Sequence, residues 1–487
     1  MIDYIDFSNR QNRFVTLSDV SNDYLSMIEK IAKEDAYYPN YHIAPHHGLM
    51  NDPNGLAFFR GEHHIFYQWF PLGPVHGLKH WYHVSTKDFI HFKDHGIALY
   101  PDQLYDSHGC HSGSAFVEGD KMHLFYTGNH LTEESEAIPS QVYGFLKEDQ
   151  TIAKENVMIE GTPPEFSNNF RDPIVFKRDK KYYMLVGGET SKNKGAIALY
   201  SGDQPNEMTY HSILQTNFKD AGYMWECPNY FEQNNRGVLI FSPQGELSKD
   251  KYQYNNVFSV VYCISDVLDV ATGKLNAHEY IELDKGFDFY APQTYEDAYG
   301  RRILIGWLGN SKSIYPTDQN MWAHMLTLPR EVKIEGNRLV QQPLQELREL
   351  RAKGQNLQTN HQLISRSFEM VIEVDQEFEI VFRNEDNETV VFSSNGEEYC
   401  LDRSKMTQVY AEEFGTKRYA LRKQKEKHQI RLFIDSSSIE IFCDHGETVF
   451  TSRIFIEGMN VVCCHGVTGD LYPLNQIVKG TKPNFII

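Results

Sequence analysis

Three carboxylates stand at comparable places in the sequence, each at the start of a strand-like segment. Asp52 lies in "MNDPNG", Asp172 in "FRDP" and Glu226 in "WECP". Asp-Pro-Asn-Gly is typical of a tight turn, because the residue before proline favours an extended conformation and Asn-Gly tolerates positive φ. A turn between strands is therefore the plain interpretation of Asp52. If the three carboxylates meet in space, however, they can perform acid–base and nucleophilic chemistry, because neighbouring like charges separate their pKa values.

Repeated hairpins are the elements that would bring these carboxylates together. Five segments share one pattern: a strand with alternating apolar and polar residues, a polar turn, and an aromatic-rich returning strand. They start at Asn51, Ser112, Arg171, Glu226 and Ala291, at intervals of 55 to 65 residues. About 60 residues hold four short strands, which make one propeller blade. The spacing predicts a five-bladed β-propeller, in which Asp52, Asp172 and Glu226 converge on one axis; a long all-β sandwich is the alternative.

The rest of the chain predicts two further parts. Segments such as "SFEMVIEVD", "HQIRLFID" and "SSIEIFCD" alternate with the period of strands and favour a C-terminal β-sandwich. "QQPLQELRELRAKGQ" favours a helical connector, and Leu25, Ile28 and Ile31 have helical spacing near the N-terminus. We therefore expect an all-β protein with a helical extension over residues 1–40, a propeller catalytic domain over 41–335, a linker over 336–356 and a sandwich over 357–487.

Composition narrows the classes of partner. The 487 residues carry a formal net charge of −19, so a nucleic-acid partner is not expected. No segment resembles a signal peptide, and no apolar run approaches the roughly 18 residues of a membrane helix, which predicts a cytoplasmic protein without a membrane partner. Seven cysteines without a Cys-x-x-Cys pair fit a reducing compartment. No metal and no other cofactor is expected.

An ordered set of motifs carries a family resemblance. "MNDPNG", "FYQ", "SGSA", "FRDP", "WECP", "GFDFYAPQ" and "LPRE" are followed by "SSIEIF" and "FTSRIF". From Tyr41 onward the chain resembles glycoside hydrolase family 32, the invertase and fructan hydrolase group, whose fold is a five-bladed propeller followed by a β-sandwich. The resemblance implies that Asp52 is the nucleophile, Glu226 the general acid/base and Asp172 the stabiliser that holds the fructose hydroxyls. It implies retaining hydrolysis, with the carboxyl groups of Asp52 and Glu226 about 5 to 5.5 Å apart.

Further candidates surround the sugar. The family positions that line the fructose pocket are matched by Asn51, Gln68 and Ser112. Candidate neighbours of the carboxylates are Arg171 and Tyr290, and candidates for an apolar wall are Trp81 and Phe116. Packing in the core is the alternative for each of these residues, and it is our interpretation of Trp69 and Trp322.

The segment "FPLGPVHGLKHWYHV" bears on the leaving sugar. Many invertases have Trp at the position of His76, and the form found here resembles family members that act on sucrose 6-phosphate. Lys79 would then meet the phosphate, with His76 as a second donor; the alternative is that Lys79 is an ordinary loop lysine. His111, before "SGSA", replaces a usual aromatic residue.

The predicted enzyme is therefore a glycosidase of sucrose metabolism that releases fructose from sucrose 6-phosphate, and from sucrose as well. Its partner is a small sugar. The alternatives are a β-fructofuranosidase acting on free sucrose or short fructo-oligosaccharides, a fructosyltransferase, and a non-catalytic carbohydrate-binding propeller.

Overall fold

The structure, a computed structural model, describes residues 4–218, 221–423 and 428–482. Among these residues there is one α-helix, α1 (Asn22–Glu34), whose N-terminus is capped by Ser21 through a hydrogen bond from Tyr24 N (3.2 Å). Short 3-10 helices cover Arg10–Phe14, Leu17–Asp19, Leu104–Asp106, Pro316–Asn320, Gln345–Leu350, Glu412–Phe414 and Asp444–Gly446. The all-β class and the N-terminal helix are confirmed. The described residues contain no helix that is both long and apolar enough to cross a membrane.

Antiparallel sheets follow one another from Gly48 onward. The first contains β1 (Gly48–Phe59), β2 (Glu62–Phe70), β3 (His80–Thr86) and β4 (His91–Leu99). The second contains β5 (Cys110–Glu118), β6 (Lys121–Leu131), β7 (Ala137–Leu146) and β8 (Ile152–Glu160). The third contains β9 (Phe166–Arg178), β10 (Lys181–Thr190), β11 (Gly195–Gln204) and β12 (Glu207–Ile213). The fourth contains β13 (Met224–Gln233), β14 (Arg236–Gln244), β15 (Val261–Asp266) and β16 (Ile281–Glu282).

The fifth sheet lies next to the first sheet and closes the ring. It contains β17 (Tyr290–Glu296), β18 (Arg302–Leu308), β20 (Met325–Leu326), β21 (Arg330–Glu335) and β22 (Arg338–Pro343), while β19 (Trp322–Ala323) joins β1 in parallel. The first strands of successive sheets contact one another, from β1 through β5, β9 and β13 to β17, and β17 contacts β1. The predicted propeller arrangement is thus confirmed. Four strands per sheet, as the spacing predicts, are found in the second, third and fourth sheets, and the other two are larger.

A ten-stranded sheet forms the C-terminal part. Its strands are β23 (Gln355–Asn356), β24 (Asn360–Gln362), β25 (Phe368–Arg383), β26 (Thr389–Asn395), β27 (Glu398–Lys405), β28 (Lys417–Leu421), β29 (His428–Asp435), β30 (Ser438–Cys443), β31 (Thr448–Arg453) and β32 (Val461–Pro473). The first half of β25 pairs with β29 and its second half with β26, so this strand passes from one layer to the other. The sandwich-like architecture is confirmed. A last strand, β33 (Val478–Lys479), pairs with β4 of the first sheet.

The connector between the two parts differs from the expected helix. Residues 341–343 belong to β22, and only Gln345–Leu350 are helical, as a 3-10 helix. Leu347 and Leu350 are its buried residues. Side chains three apart lie above one another in a 3-10 helix, so this short form suits a segment with two apolar residues at that spacing.

Buried ion pairs join the propeller to the C-terminal sheet. Arg330 Nη2 lies 2.6 Å from Glu440 Oε2, and Arg330 Nη1 lies 3.3 Å from Asp284 Oδ2. His42 is held between Asp435 (2.8 Å) and Glu440 (2.9 Å). Because a buried charge without its partner is strongly unfavourable, this network fixes how the two parts meet.

Candidate active site

The first strand of each propeller sheet is interrupted at the same place. The register shifts lie between Met50 and Pro53, Cys110 and Gly113, Arg171 and Ile174, Glu226 and Asn229, and Tyr290 and Gln293. Four of these five bulges contain a residue followed by proline: Asp-Pro, Asp-Pro, Cys-Pro and Ala-Pro. Proline has no N–H to donate, so it is tolerated at bulges and strand edges. A bulge bends its strand and turns a side chain in a new direction, here toward the central channel.

Backbone conformation at three of the bulges is unusual. Asp172, Cys227 and Ala291 have φ of 69°, 48° and 45°, in the left-handed region that residues with a Cβ rarely adopt. Each such residue costs on the order of 1 kcal/mol or more and persists where the surroundings hold it. Asp172 is held by its backbone N–H, which donates to Thr127 Oγ1 (3.0 Å).

Asp52 ends a chain of hydrogen bonds. Lys79 Nζ donates to Asn51 Oδ1 (2.7 Å), and Asn51 Nδ2 donates to Gln68 Oε1 (2.7 Å) and to Asp52 Oδ1 (3.2 Å). Gln68 Nε2 donates to Ser112 Oγ (2.7 Å), which donates to Asp52 Oδ2 (2.5 Å). Both carboxylate oxygens of Asp52 therefore have donors, and its orientation is fixed from two sheets. Three predicted pocket residues, Asn51, Gln68 and Ser112, lie together in this network.

Asp172 faces the same space as Asp52. Cys227 N donates to Asp172 Oδ2 (2.9 Å), and Cys227 Sγ lies 3.5 Å from that oxygen and 3.6 Å from Asp52 Oδ2. The thiol sulfur and one oxygen of each carboxylate all lie within 4.8 Å of one another. Burial, with the nearby carboxylates, raises the pKa of the Cys227 thiol well above its usual value, so the thiol stays protonated and acts as a donor.

Glu226 is held by three side chains. Arg171 donates to Oε1 from Nε (3.0 Å) and Nη2 (2.5 Å), while Tyr290 OH (2.5 Å) and Gln244 Nε2 (2.6 Å) donate to Oε2. Burial and the charge of Glu226 raise the pKa of Tyr290 well above its usual value, so the phenol remains a donor. The Glu226 side chain keeps 13% of its surface exposed, so a sugar can reach it.

Two side chains of the site, Asp172 and Lys79, have pKa values near 7. Burial raises the pKa of Asp172 to about 7; Arg171 opposes this, and the charges of Glu226 and Asp52 add to it. Burial also raises the pKa of Asp52, against the Ser112 hydrogen bond, and the charge of Glu226 contributes. Burial lowers the pKa of Lys79 to about 7, although Asp52 opposes the shift. Burial thus brings the pKa values of Asp172 and Lys79 to about 7, and strongly shifted pKa values of this kind are common at functional sites.

Lys79 is buried and is therefore not an ordinary exposed loop lysine. It is 4% exposed, and its ammonium group belongs to the Asp52 network through Asn51. His76 lies nearer the surface: it is half-buried, its Nε2 has no hydrogen-bond partner within the described part of the chain, and its ring lies 6.1 Å from Trp307. His111 is half-buried, and burial together with Arg171 and Lys79 lowers its pKa to about 3.

The predicted apolar wall is not formed by Trp81 or Phe116. Trp81 is fully buried beneath the site, where its indole Nε1 donates to His111 O (3.0 Å). Phe116 lines a different cavity, of about 510 Å³, several residues further along the same inner strands. Trp69 and Trp322 are fully buried, in agreement with their interpretation as core residues.

Sequence reasoning missed Gln244, Cys227 and Thr127. In a regular strand the side chain of Cys227 would point to the face opposite Glu226. The bulge between Glu226 and Asn229 instead brings the Cys227 side chain to the same site. Gln244 and Thr127 each end an apolar run, in "GVLIFSPQ" and "MHLFYT". A polar residue where a buried strand reaches the channel is the signal that identifies both.

Known proteins are similar to this chain in sequence and in structure. The model "Glycosyl hydrolases family 32 N-terminal domain" matches residues 42–343, and "Glycosyl hydrolases family 32 C terminal" matches residues 337–468. A sucrose-6-phosphate hydrolase of Vibrio alginolyticus is 45% identical over 91% of this chain and 92% of that protein, and one of Staphylococcus xylosus is 35% identical over 92% and 93%.

Solved structures of proteins from the same family are also similar to this chain. The sucrose-6-phosphate hydrolase from Lactobacillus gasseri has a TM-score of 0.92 and 32% identity, covering 96% of this chain and 100% of that one. A GH32 β-fructofuranosidase from Bombyx mori has a TM-score of 0.84 and 29% identity, covering 95% and 100%.

Proposed function

The chain belongs to glycoside hydrolase family 32, and from this premise we propose that it is a retaining glycosidase that hydrolyses the β-fructofuranosidic bond of sucrose 6-phosphate. The observation that carries the proposal is the convergence of Asp52, Asp172 and Glu226 at one end of the channel, each with its own set of donors. The relatives named for this activity, which match over nine-tenths of the chain, support the substrate.

In the first step Asp52 attacks the anomeric carbon of the fructosyl unit. The bond from that carbon to the bridging oxygen breaks, and Glu226 gives its proton to the departing oxygen. The product is a fructosyl ester of Asp52. Since Ser112 and Asn51 hold the two oxygens of Asp52, the nucleophile is oriented before the substrate arrives, which lowers the entropy cost of the attack.

In the second step Glu226 removes a proton from water, which attacks the same carbon and releases fructose from Asp52. Arg171, Tyr290 and Gln244 donate to Glu226 and stabilise its carboxylate form between the two steps. Asp172 accepts hydrogen bonds from fructose hydroxyls, and its pKa of about 7 falls when those donors arrive.

We assign the phosphate of the substrate to the rim of the site, to His76 and Arg13, instead of Lys79. Leu78 N donates to Arg13 O (2.7 Å), so the N-terminal extension lies on the loop that carries His76. Arg13 Nε donates to Phe7 O (3.0 Å), and its terminal nitrogens have no acceptor among residues 4–218, 221–423 and 428–482. Burial, with the charges of Lys79 and Arg13 among others, lowers the pKa of His76 well below its usual value, so a neutral donor lies beside a cation.

Paired kinetics on sucrose and sucrose 6-phosphate test the proposal. We expect a higher kcat/KM on sucrose 6-phosphate, a loss of at least about 1,000-fold in Asp52→Asn, and release of fructose as the anomer that retention requires. Equal kcat/KM on the two sugars would instead assign the enzyme as a β-fructofuranosidase of free sucrose or short fructo-oligosaccharides.

The organisation of the chain is proposed on the same basis. We assign one blade to each of the five sheets between Gly48 and Pro343, with boundaries after residues 40, 343 and 356; the closed ring of inner strands supports this division. The expected boundary after residue 335 is moved, because β22 pairs with β21 and belongs to the fifth sheet. The cytoplasm is the proposed location, because sugars phosphorylated during import reach their hydrolase inside the cell.

A further inference from the structure

A cavity lined by cationic side chains lies outside the candidate active site and shares no residue with it. This cleft, of about 710 Å³, lies between α1, the C-terminal sheet and residues 476–482. Four cationic side chains line it: Lys33, Arg366, Lys479 and Lys482. In a chain with a net charge of −19, these four cations supply a local attraction for anions that the overall charge does not.

The acidic groups nearby offset only part of this positive charge. Glu29 is shared by Lys33 (2.5 Å) and Lys482 (2.8 Å). Asp35, on the cleft wall, accepts hydrogen bonds from Trp322 Nε1 (2.7 Å) and Tyr37 N (3.0 Å).

Lys479 and Arg366 have no carboxylate within ion-pair distance in the part of the chain that the structure describes. The Lys479 ammonium group lies 5.1 Å from the centre of the Tyr38 ring, a contact that positions the cation without cancelling its charge. Arg366 Nη1 donates only weakly, to Ala36 O at 3.5 Å.

The cleft is built by a fixed backbone. β33, which carries Lys479, pairs with β4 through hydrogen bonds from Val478 N to Ile90 O (2.8 Å) and from Gly480 N to Phe92 O (2.7 Å). Ile477 N donates to Asn40 O (3.1 Å), which ties the same segment to the residues after α1. The cation therefore projects from an anchored strand.

We propose that this cleft binds a small phosphate-bearing anion, either free phosphate or a sugar phosphate. A phosphate dianion favours an arginine fork together with a lysine point charge, and Arg366 and Lys479 supply these two donors. Lys33 and Lys482 share the single carboxylate of Glu29, so their combined charge is only partly neutralised and adds to the attraction. Most of the wall comes from residues before 42 and after 468, outside the stretches that match the family models, so the site does not rest on the proposed hydrolase activity.

Calorimetric titration with inorganic phosphate and with glucose 6-phosphate tests the proposal. In the double variant Arg366→Gln/Lys479→Gln we expect binding to weaken by about tenfold or more, since each lost charged hydrogen bond weakens affinity by that order. The control Lys30→Gln removes a lysine of α1 whose side chain is 74% exposed and should bind as the wild type does. Turnover of sucrose should be unchanged in all three proteins.

Unaltered phosphate and glucose 6-phosphate affinities in the double variant would overturn the proposal and place all anion binding in the catalytic channel. Because glucose 6-phosphate is also a product of the proposed hydrolysis, the comparison uses only the binding that the double variant loses. Tighter binding of glucose 6-phosphate than of phosphate in that component identifies a sugar-phosphate site, and equal affinities identify a site for the phosphate group alone. If the double variant does not fold, wild-type crystals soaked in tungstate give a second test. We expect density between Arg366 and Lys479, and its absence there rejects the site.

Discussion

Replacing Lys79 by methionine separates two roles for this lysine. As a phosphate contact, Lys79 would affect only the phosphorylated sugar. Its hydrogen bond to Asn51 instead links it to the nucleophile Asp52, which acts on both sugars. Methionine keeps the length and apolar volume of the side chain and removes only the charge and the donors.

The expected fall in kcat/KM follows from the loss of one buried, charge-assisted hydrogen bond of 2.7 Å between Lys79 and Asn51. Such a bond contributes about 1.5 to 3 kcal/mol, and its loss leaves Asn51 Oδ1 without that donor. If about 2 kcal/mol of this appears in the transition state, kcat/KM falls about 30-fold, because about 1.4 kcal/mol corresponds to a factor of ten.

The assay is kcat/KM on sucrose and on sucrose 6-phosphate for the wild type, Lys79→Met and the surface control Lys30→Met. We expect the same fall on both substrates in Lys79→Met, so that the ratio of the two values stays constant, and no fall in the control. A loss confined to sucrose 6-phosphate would refute the reasoning and return Lys79 to the phosphate.

The remaining predictions concern the rim, the acid/base and the junction between the two parts. Arg13→Ala should raise KM for sucrose 6-phosphate about tenfold and leave sucrose kinetics unchanged; an unchanged ratio would reject Arg13 as a phosphate contact. Tyr290→Phe should lower kcat about tenfold with little change in KM, since it removes a 2.5 Å hydrogen bond to Glu226. Burial lowers the pKa of His42, but the hydrogen bonds and charges of Asp435 and Glu440 outweigh it and raise the pKa from 6.5 to about 9. Protonated His42 therefore stabilises the folded protein fully below pH 6.5, and this contribution is lost as pH rises through 9. Chemical denaturation should therefore show the wild type losing about 3 kcal/mol more than His42→Gln between these pH values, and equal losses would contradict the assignment.

Local periodicity was sufficient to predict the hairpins and the three carboxylates, because strand alternation and proline-containing turns are encoded within a few residues. It was insufficient for contacts between distant segments. The position of Arg13 beside Leu78 depends on how the N-terminal extension packs on a loop of the first sheet. The burial of Lys79 could not be predicted for a related reason: whether a loop lysine points outward or inward depends on Asn51, which belongs to another strand.

The bulges explain why the site contains more functional groups than alternation allows. In a regular strand adjacent side chains point to opposite faces, so each inner strand could bring only every second residue to the channel. Here adjacent residues act together: Asn51 with Asp52, Arg171 with Asp172, and Glu226 with Cys227. In each pair the second residue lies inside the register shift. Proline after Asp52, Asp172 and Cys227 favours the bulge because a regular ladder would need the N–H that proline lacks. The Asp-Pro and Cys-Pro steps are thus the local sequence feature that lets one strand present two neighbouring side chains to a single sugar.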